Sequence, residues 1–350
     1  MLVYWLMFSV PVYALVAPTR LTPHARDFIW RTICILFALI IGLRFEVGGD
    51  WSSYLSQQKD AYGESFLDAI LAGNPGFAML GRIAASLGLG IYGVNLVCGT
   101  FVMLGIYQFC RRQPQPWVAL AVSVPYLIIV VAMGYTRQSV AIGLELIALV
   151  ALSNRRLFHF VLLIGCAGLF HRSAVLLLPL GLLASSEKRL AIIISISIMS
   201  ILLGGALLLE HYESLIKNYV VSGMTSEGAG IRVAMNSVPA AIFLLFAKRI
   251  APDGAERRLW TWVAIFSLTC IPLVDVASTA VDRVALYFLP IQIFVFSRIH
   301  LLFRHRASKS LAIMCVIGVY GLAEWVLLNY APIVSNSWLP YNNVAFYWNY

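Results

Sequence analysis

The chain has 350 residues, of which 61% are hydrophobic and only 12% charged, with a formal net charge of +9. A mean hydropathy of +0.84 excludes a water-soluble domain built around one core, and a basic charge balance in such a chain does not point to nucleic acid. Apolar runs of about 17 to 25 residues recur, the length of a bilayer-crossing helix, and the ten-residue alternation of a membrane barrel is absent.

The sequence therefore predicts an all-α polytopic membrane protein, a single integral domain over residues 1–350. In chain order the predicted spans are Leu2–Ala17, Ile29–Phe45, Ile91–Cys110, Trp117–Met133, Arg137–Ser153 and Leu157–Phe170. Then follow Ser173–Ala184, Leu190–Leu209, Val233–Ile250, Leu259–Val274, Val284–Arg298 and Leu311–Tyr330, so that about twelve are expected. The first run lacks the basic start of a cleavable signal. The cysteines Cys34, Cys98, Cys110, Cys166, Cys270 and Cys315 lie in or at the ends of apolar runs without metal-ligand spacing, and read as packing residues.

Lys and Arg gather on alternate connections: Arg20, Arg26 and Arg31; Arg111 and Arg112; Arg155 and Arg156; Lys188 and Arg189. The pattern continues with Lys248, Arg249, Arg257 and Arg258, and then with Arg298, Arg304, Arg306 and Lys309. By the positive-inside rule these connections are cytoplasmic and both termini lie outside. The net charge is thus a topology signal, and no nucleic-acid partner is expected.

On the outer side remain groups that topology does not require. Residues 45–90 form an outer loop in which Phe66, Ala69, Ile70, Phe77, Leu80, Ile83 and Ala84 recur at helical spacing, broken at Pro75 and Gly76. This predicts interfacial helices able to roof a cavity, or equally plain surface packing. At the mouth of the second span, Arg44, Glu46, Gly48, Gly49, Asp50, Trp51 and Tyr54 crowd together. Gly48 and Gly49 would let a backbone approach a ligand closely, and Arg44 reads as a holder of Glu46 or Asp50.

Arg137 opens a span with Gln138 beside it, at a helix start that favours anions, although Glu145 two turns on is an alternative, structural partner. His171 and Arg172 sit between two runs of only about 13 residues, short for a crossing. The pair is either the apex of a short hairpin at membrane depth, where an unpaired cation costs roughly 3 kcal/mol, or the end of two tilted spans with Arg172 snorkelling. Asp282 and Arg283 form a local ion pair or join the same site, with Tyr287 one turn away. The tail, residues 331–350, carries Trp338, Tyr341, Tyr347, Trp348 and Tyr350, a glycan platform or an interfacial aromatic belt.

Arginine outnumbers lysine among these outer groups, and a planar guanidinium binds phosphate oxygens in pairs and keeps its charge. A pyrophosphate suits them, and Asp50, His171 and Glu46 supply groups able to take a proton from an attacking hydroxyl.

The stretch Arg44-Phe45-Glu46-Val47-Gly48-Gly49-Asp50-Trp51-Ser52-Ser53-Tyr54, the turn Thr136-Arg137-Gln138 and the run Phe170-His171-Arg172-Ser173-Ala174 resemble the EpsG family of Wzy-like bacterial polysaccharide polymerases. The likeness extends from about Tyr4 to about Phe303. It implies a multi-pass enzyme of the bacterial inner (plasma) membrane, with GT-C-like glycosyltransferase architecture and an outer-face cavity. The implied reaction joins undecaprenyl-pyrophosphate-linked oligosaccharide repeat units at the outer face. By position, Arg44, Gly49, Asp50 and Tyr54 match the family's first motif, Arg137 its second and His171 its third.

The site expected from residues and resemblance together has Asp50, His171 and Glu46 as catalytic candidates, in that order. Arg44, Gly49, Trp51, Tyr54, Arg137, Gln138, Arg172, Arg283 and Tyr287 are its substrate contacts. No cofactor or metal is expected. The partners are the lipid-linked oligosaccharide, membrane lipids, a chain-length regulator and a flippase. Two alternatives stay open: a transporter or flippase of lipid-linked sugars, and a membrane acyltransferase.

Overall fold

The computed structural model describes residues 1–17, 22–63, 65–71, 73–184, 228–275 and 278–347. Arg20, Lys188, Arg189, the predicted span Leu190–Leu209, the loop from Glu210 to residue 227, Trp348 and Tyr350 lie outside the described residues. Among the described residues all regular elements are helical, as the apolar runs require of a chain in lipid. The protein is an all-α membrane protein.

Among the described residues four helices are long and apolar enough to cross a bilayer: α6 (Gly90–Cys110), α8 (Thr136–Ser153), α11 (Ala229–Ile250) and α15 (Arg306–Tyr330). A fifth crossing is counted if Ser278–Phe288 and Pro290–Phe296, which meet at a bend of 42°, act as one. Other predicted spans form shorter apolar helices, among them α1 (Leu2–Val16, 15 residues) and α9 (Leu157–Phe170, 14 residues). Hydropathy alone counts such pieces as full crossings, whereas ~20 residues are needed to cross perpendicular to the membrane.

The chain divides into two compact units, Met1–Leu146 with Leu169–His171 and Ile313–Tyr350, and Ile147–Gly168 with Arg172–Ala312. In the first, α2 (Pro23–Gly42) starts with proline at its first turn, and Thr22 Oγ1 accepts from the Ala25 N–H (3.2 Å). It packs along α6, where Gly42 meets the Leu96 backbone and Gly99 meets Ile41. Asp27 pairs with both Arg31 and Arg111 at 2.7 Å, so the first two basic connections share one end of the unit, as their alternate spacing requires. A side chain at Gly105 would fall 2.1 Å from the Gly143 carbonyl. Small residues thus bring α6 and α8 into backbone contact, the usual way helices associate where lipid offers no hydrophobic drive.

Between these helices residues 45–90 fold as α3 (Trp51–Asp60), α4 (Phe66–Leu71) and α5 (Pro75–Ser86). The break predicted at Pro75 is present. Ser65 and Asp68 cap α4 reciprocally: the Asp68 N–H donates to Ser65 Oγ (3.1 Å), and the Ser65 N–H and hydroxyl donate to Asp68 Oδ2 (3.1 and 2.7 Å). Ala69, Phe77 and Ala84 turn inward, while Phe66, Leu67, Ile70 and Leu71 are exposed.

α7 (Pro116–Ser123) runs into a π-helical stretch, Val124–Ala132, buried throughout. Its end meets the C-terminal tail, where the helix α16 (Pro332–Ser337) delivers Trp338. That indole is 1% exposed; it donates to the Ile129 carbonyl (2.8 Å), and the Trp338 carbonyl accepts from the Tyr4 hydroxyl (2.7 Å). Trp338 is therefore a core residue, neither glycan platform nor interfacial belt. Trp338→Phe removes the donor and leaves the Ile129 carbonyl unmet, with an expected cost of about 1–3 kcal/mol, readable as a lower unfolding temperature of the detergent-solubilised protein. Cutting the chain after Pro332 should likewise lower the amount of folded protein before it changes polymer length.

In the second unit, α11 packs against α12 (Gly254–Leu273), α13 (Ser278–Ala285) and α14 (Pro290–Phe296). Trp260 stacks on Phe294 with centroids 3.9 Å apart, and Arg298 caps that stack at 3.7 Å while pairing with Glu256 (3.0 Å). Within the apolar interior Asn236 donates to the Ala285 carbonyl (2.7 Å) and accepts from Gln292 (2.6 Å), so the buried amide is satisfied on both sides.

Candidate active site

The three sequence motifs meet at Arg137, and the contacts begin with Arg44. Arg44 is 1% exposed, and its guanidinium is used up by protein oxygens: it donates to the carbonyls of Ile41 and Val47 and to Asn95 Oδ1 (3.2 Å) and Thr136 Oγ1 (2.8 Å). It does not hold Glu46 or Asp50. The end of α2 is instead fastened to the first residue of α8, which fixes where the next residue, Arg137, emerges.

Gly48 behaves differently from expectation. It has a φ of +111°, and a side chain there would strike the Met133 carbonyl at 2.2 Å, whereas a Cβ added at the exposed Gly49 would make ordinary contact, 3.6 Å, with the Trp338 ring. The room Gly48 leaves is taken by the protein itself, so its close approach serves the fold. This turn launches α3, with Asp50 at its start, Trp51 beside Phe45 and Tyr92, and Glu46 exposed at a φ of 53°.

One helical turn on, Tyr54 is buried beneath Arg137. The guanidinium stands 5.6 Å from the Tyr54 ring centre and 5.8 Å from that of Phe77, and the Arg137 backbone N–H donates to the Tyr54 hydroxyl (3.4 Å). Burial raises the Tyr54 phenol above its ordinary pKa, and the Arg137 charge opposes that rise. With its amide oriented to satisfy both neighbours, Asn74 donates to the Phe170 carbonyl (3.2 Å) and accepts from Arg137 Nη1 (3.3 Å). Asn74 thus ties Arg137 to the turn carrying His171. Tyr54, Arg137 and Phe170, one from each motif, are joined in a single contact group.

Arg137 has no carboxylate partner among the described residues, and its buried Nε donates to nothing. Glu145, the structural partner weighed above, is 1% exposed and does not reach it. The arginine lines a cavity of about 200 Å³ together with Tyr54, Gln57, Gln58, Asp60, Asn74 and Phe77. Water in bulk occupies ~30 Å³ per molecule, so the cavity has room for roughly seven waters, enough for a phosphoryl group or a sugar ring. Asp50, Glu46 and His171 are not among the described residues lining it.

Four polar lining residues are not singled out by the sequence: Gln57, Gln58, Asp60 and Asn74. A signal existed for two of them, since Tyr54, Gln57, Gln58 and Ala61 follow the i, i+3, i+4, i+7 spacing of one helix face. Gln138, beside Arg137, is buried in α8.

The remaining candidates belong to the second unit. Arg172 opens a 3-10 segment, Arg172–Leu177, that leads into α10 (Leu178–Ala184); these pieces of six and seven residues keep this arm short, as the hydropathy indicated. Tyr287 is buried, with its hydroxyl 3.2 Å from Ser173 Oγ. Asp282 pairs through both oxygens with Arg232, and Arg283 is exposed on α13.

A family model described as the EpsG family matches residues 27–343. The chain belongs to the EpsG family. Membership makes it an exopolysaccharide polymerase-type membrane protein. No curated protein and no solved structure matches the chain. The EpsG match starts ahead of the first motif and runs past Phe303 into the tail. That tail is where Ser337 and Asn342 accept backbone hydrogen bonds from Gly48 (2.7 Å) and Phe45 (3.0 Å), so the matched region closes on itself around the first motif.

Proposed function

We propose that this EpsG protein is a polysaccharide polymerase acting on undecaprenyl-pyrophosphate-linked oligosaccharide repeat units at the outer face of the bacterial inner membrane. It would have about twelve crossings and a GT-C-like layout, and work beside a flippase and a chain-length regulator. A hydroxyl of one glycan attacks the anomeric carbon of another; the bond from that carbon to the lipid pyrophosphate breaks, and the electron pair leaves with the pyrophosphate oxygen.

The observation that carries this reading is Arg137: a guanidinium without a carboxylate partner among the described residues, held on two aromatic faces and lining a cavity of about 200 Å³. Such a cation is positioned before the reaction begins and needs no reorganisation as charge builds on the departing pyrophosphate, the condition under which electrostatic stabilisation is strongest. Arg172, Arg283 and Tyr287 are proposed as substrate contacts of the second unit.

The test is deletion of the gene followed by analysis of the lipid-linked pool. Single repeat units should accumulate on their lipid at the outer face of the membrane. Accumulation confined to the inner face would identify a flippase instead, and an unchanged pool would exclude both.

A further inference from the structure

We propose that Asp60, not Asp50, takes the proton from the attacking glycan hydroxyl. The proposal rests on the polymerase reading above and assigns a role within the same cavity.

Asp60 closes α3, six residues beyond Tyr54, and is the single acid among the described residues lining the Arg137 cavity. Two features separate it from a structural carboxylate. Its carboxylate, on the exposed end of the helix, forms no hydrogen bond and no ion pair among the described residues, whereas Asp68 caps α4 and Asp50 acts electrostatically on Tyr54. Moreover, Asp60 and Arg137 share the cavity walls without pairing. Had the acid been placed to neutralise the arginine, a direct ion pair would be the cheapest arrangement for two charges lining one small space. Held apart across about 200 Å³, they leave room for a reacting group between them.

The chemistry needs that separation. The leaving pyrophosphate oxygen departs on one side of the anomeric carbon and the incoming hydroxyl approaches on another, so the cation that receives negative charge and the base that receives a proton must face different atoms. In the proposed step the hydroxyl oxygen forms a bond to the anomeric carbon, the carbon–pyrophosphate bond breaks with its electron pair on the phosphate oxygen, and the hydroxyl proton passes to the Asp60 carboxylate. Gln57 and Asn74 add amides suited to the neighbouring sugar hydroxyls, and Phe77 offers a ring face.

The experiment uses the full chain in lipid nanodiscs. It is supplied with the lipid-pyrophosphate fraction extracted from cells lacking the gene, and binding of inorganic pyrophosphate is measured separately. Asp60→Asn is expected to bind pyrophosphate within about twofold of the unaltered protein while kcat falls about 10²-fold, and Asp60→Glu should recover part of that loss. A normal kcat in Asp60→Asn overturns the assignment, as does loss of pyrophosphate binding in that variant. If the unaltered protein fails to lengthen the extracted units at all, the polymerase reading itself fails. Pyrophosphate binding that disappears in Arg137→Ala and persists in Asp60→Asn distinguishes the anion site from the base.

Discussion

Arg137→Ala is expected to abolish polymer while leaving the protein in the membrane at close to its normal level. Its guanidinium meets Tyr54 and Phe77 as ring contacts, gives a side-chain hydrogen bond to Asn74, and keeps an unbonded Nε. Truncating it therefore removes little that the fold relies on, and it also relieves the cost of a half-buried cation. What disappears is the charge facing the cavity. Loss of a single neutral donor to a developing oxyanion costs ~10²–10³ in kcat, and a guanidinium supplies both a full charge and paired donors, so a loss of at least about 10³-fold is expected. Arg137→Lys should restore little, because a lysine ammonium offers neither the planar fork nor the stacking that Tyr54 and Phe77 provide. The measurement is polymer yield per amount of membrane-inserted protein. Normal yield in Arg137→Ala would remove the observation on which the polymerase mechanism rests.

The surroundings of Arg137 divide into what a sequence can and cannot convey. A lone arginine opening an apolar run, and a tyrosine placed after a polar turn, are visible as exceptions to hydropathy, and the fold brings the two into contact. Their partners are not visible, because they depend on how separate segments meet. Asn74 stands 63 positions before Arg137 and joins it only because α5 packs back on α3 and α6. Glu145, close in sequence and of suitable charge, lies two turns along the same helix and faces elsewhere. The helical class of the fold follows directly from the apolar runs. Their number does not become a count of crossings, since a 14-residue run such as Leu157–Phe170 has the composition of a span without its length. The burial of Trp338 is hidden for a related reason: an indole near a membrane surface has one composition whether it faces lipid, sugar or, as here, the carbonyl of a residue 209 positions away.

Arg44→Ala should fail in the opposite way, with loss of folded protein preceding any loss of chemistry. Hydropathy marks Arg44 as conspicuously as Arg137, since both are cations at the ends of apolar helices, but their environments differ. Arg44 is 1% exposed and every nitrogen of its guanidinium has a protein oxygen to meet. The Ile41 carbonyl belongs to the last turn of α2, where helix carbonyls lack partners of their own and a cation is favoured by the helix dipole. Removing the side chain strands that carbonyl together with the Val47 carbonyl, Asn95 Oδ1 and Thr136 Oγ1. Each buried acceptor left unmet costs about 1–3 kcal/mol, a large share of the 5–15 kcal/mol by which typical proteins are stable. Arg44→Ala should therefore show lower abundance and a lower unfolding temperature in detergent. Thr136→Val, which deletes one acceptor and keeps the shape, should show a smaller shift that does not add to the first, because the two residues share one bond. If Arg44→Ala instead accumulated normally and lost only activity, Arg44 would be a substrate contact, as its place in the first motif implies. The structure makes it a positioning residue: the Arg44–Thr136 bond of 2.8 Å anchors the residue before Arg137, so whatever anion the cavity receives meets a cation whose direction was set from α2.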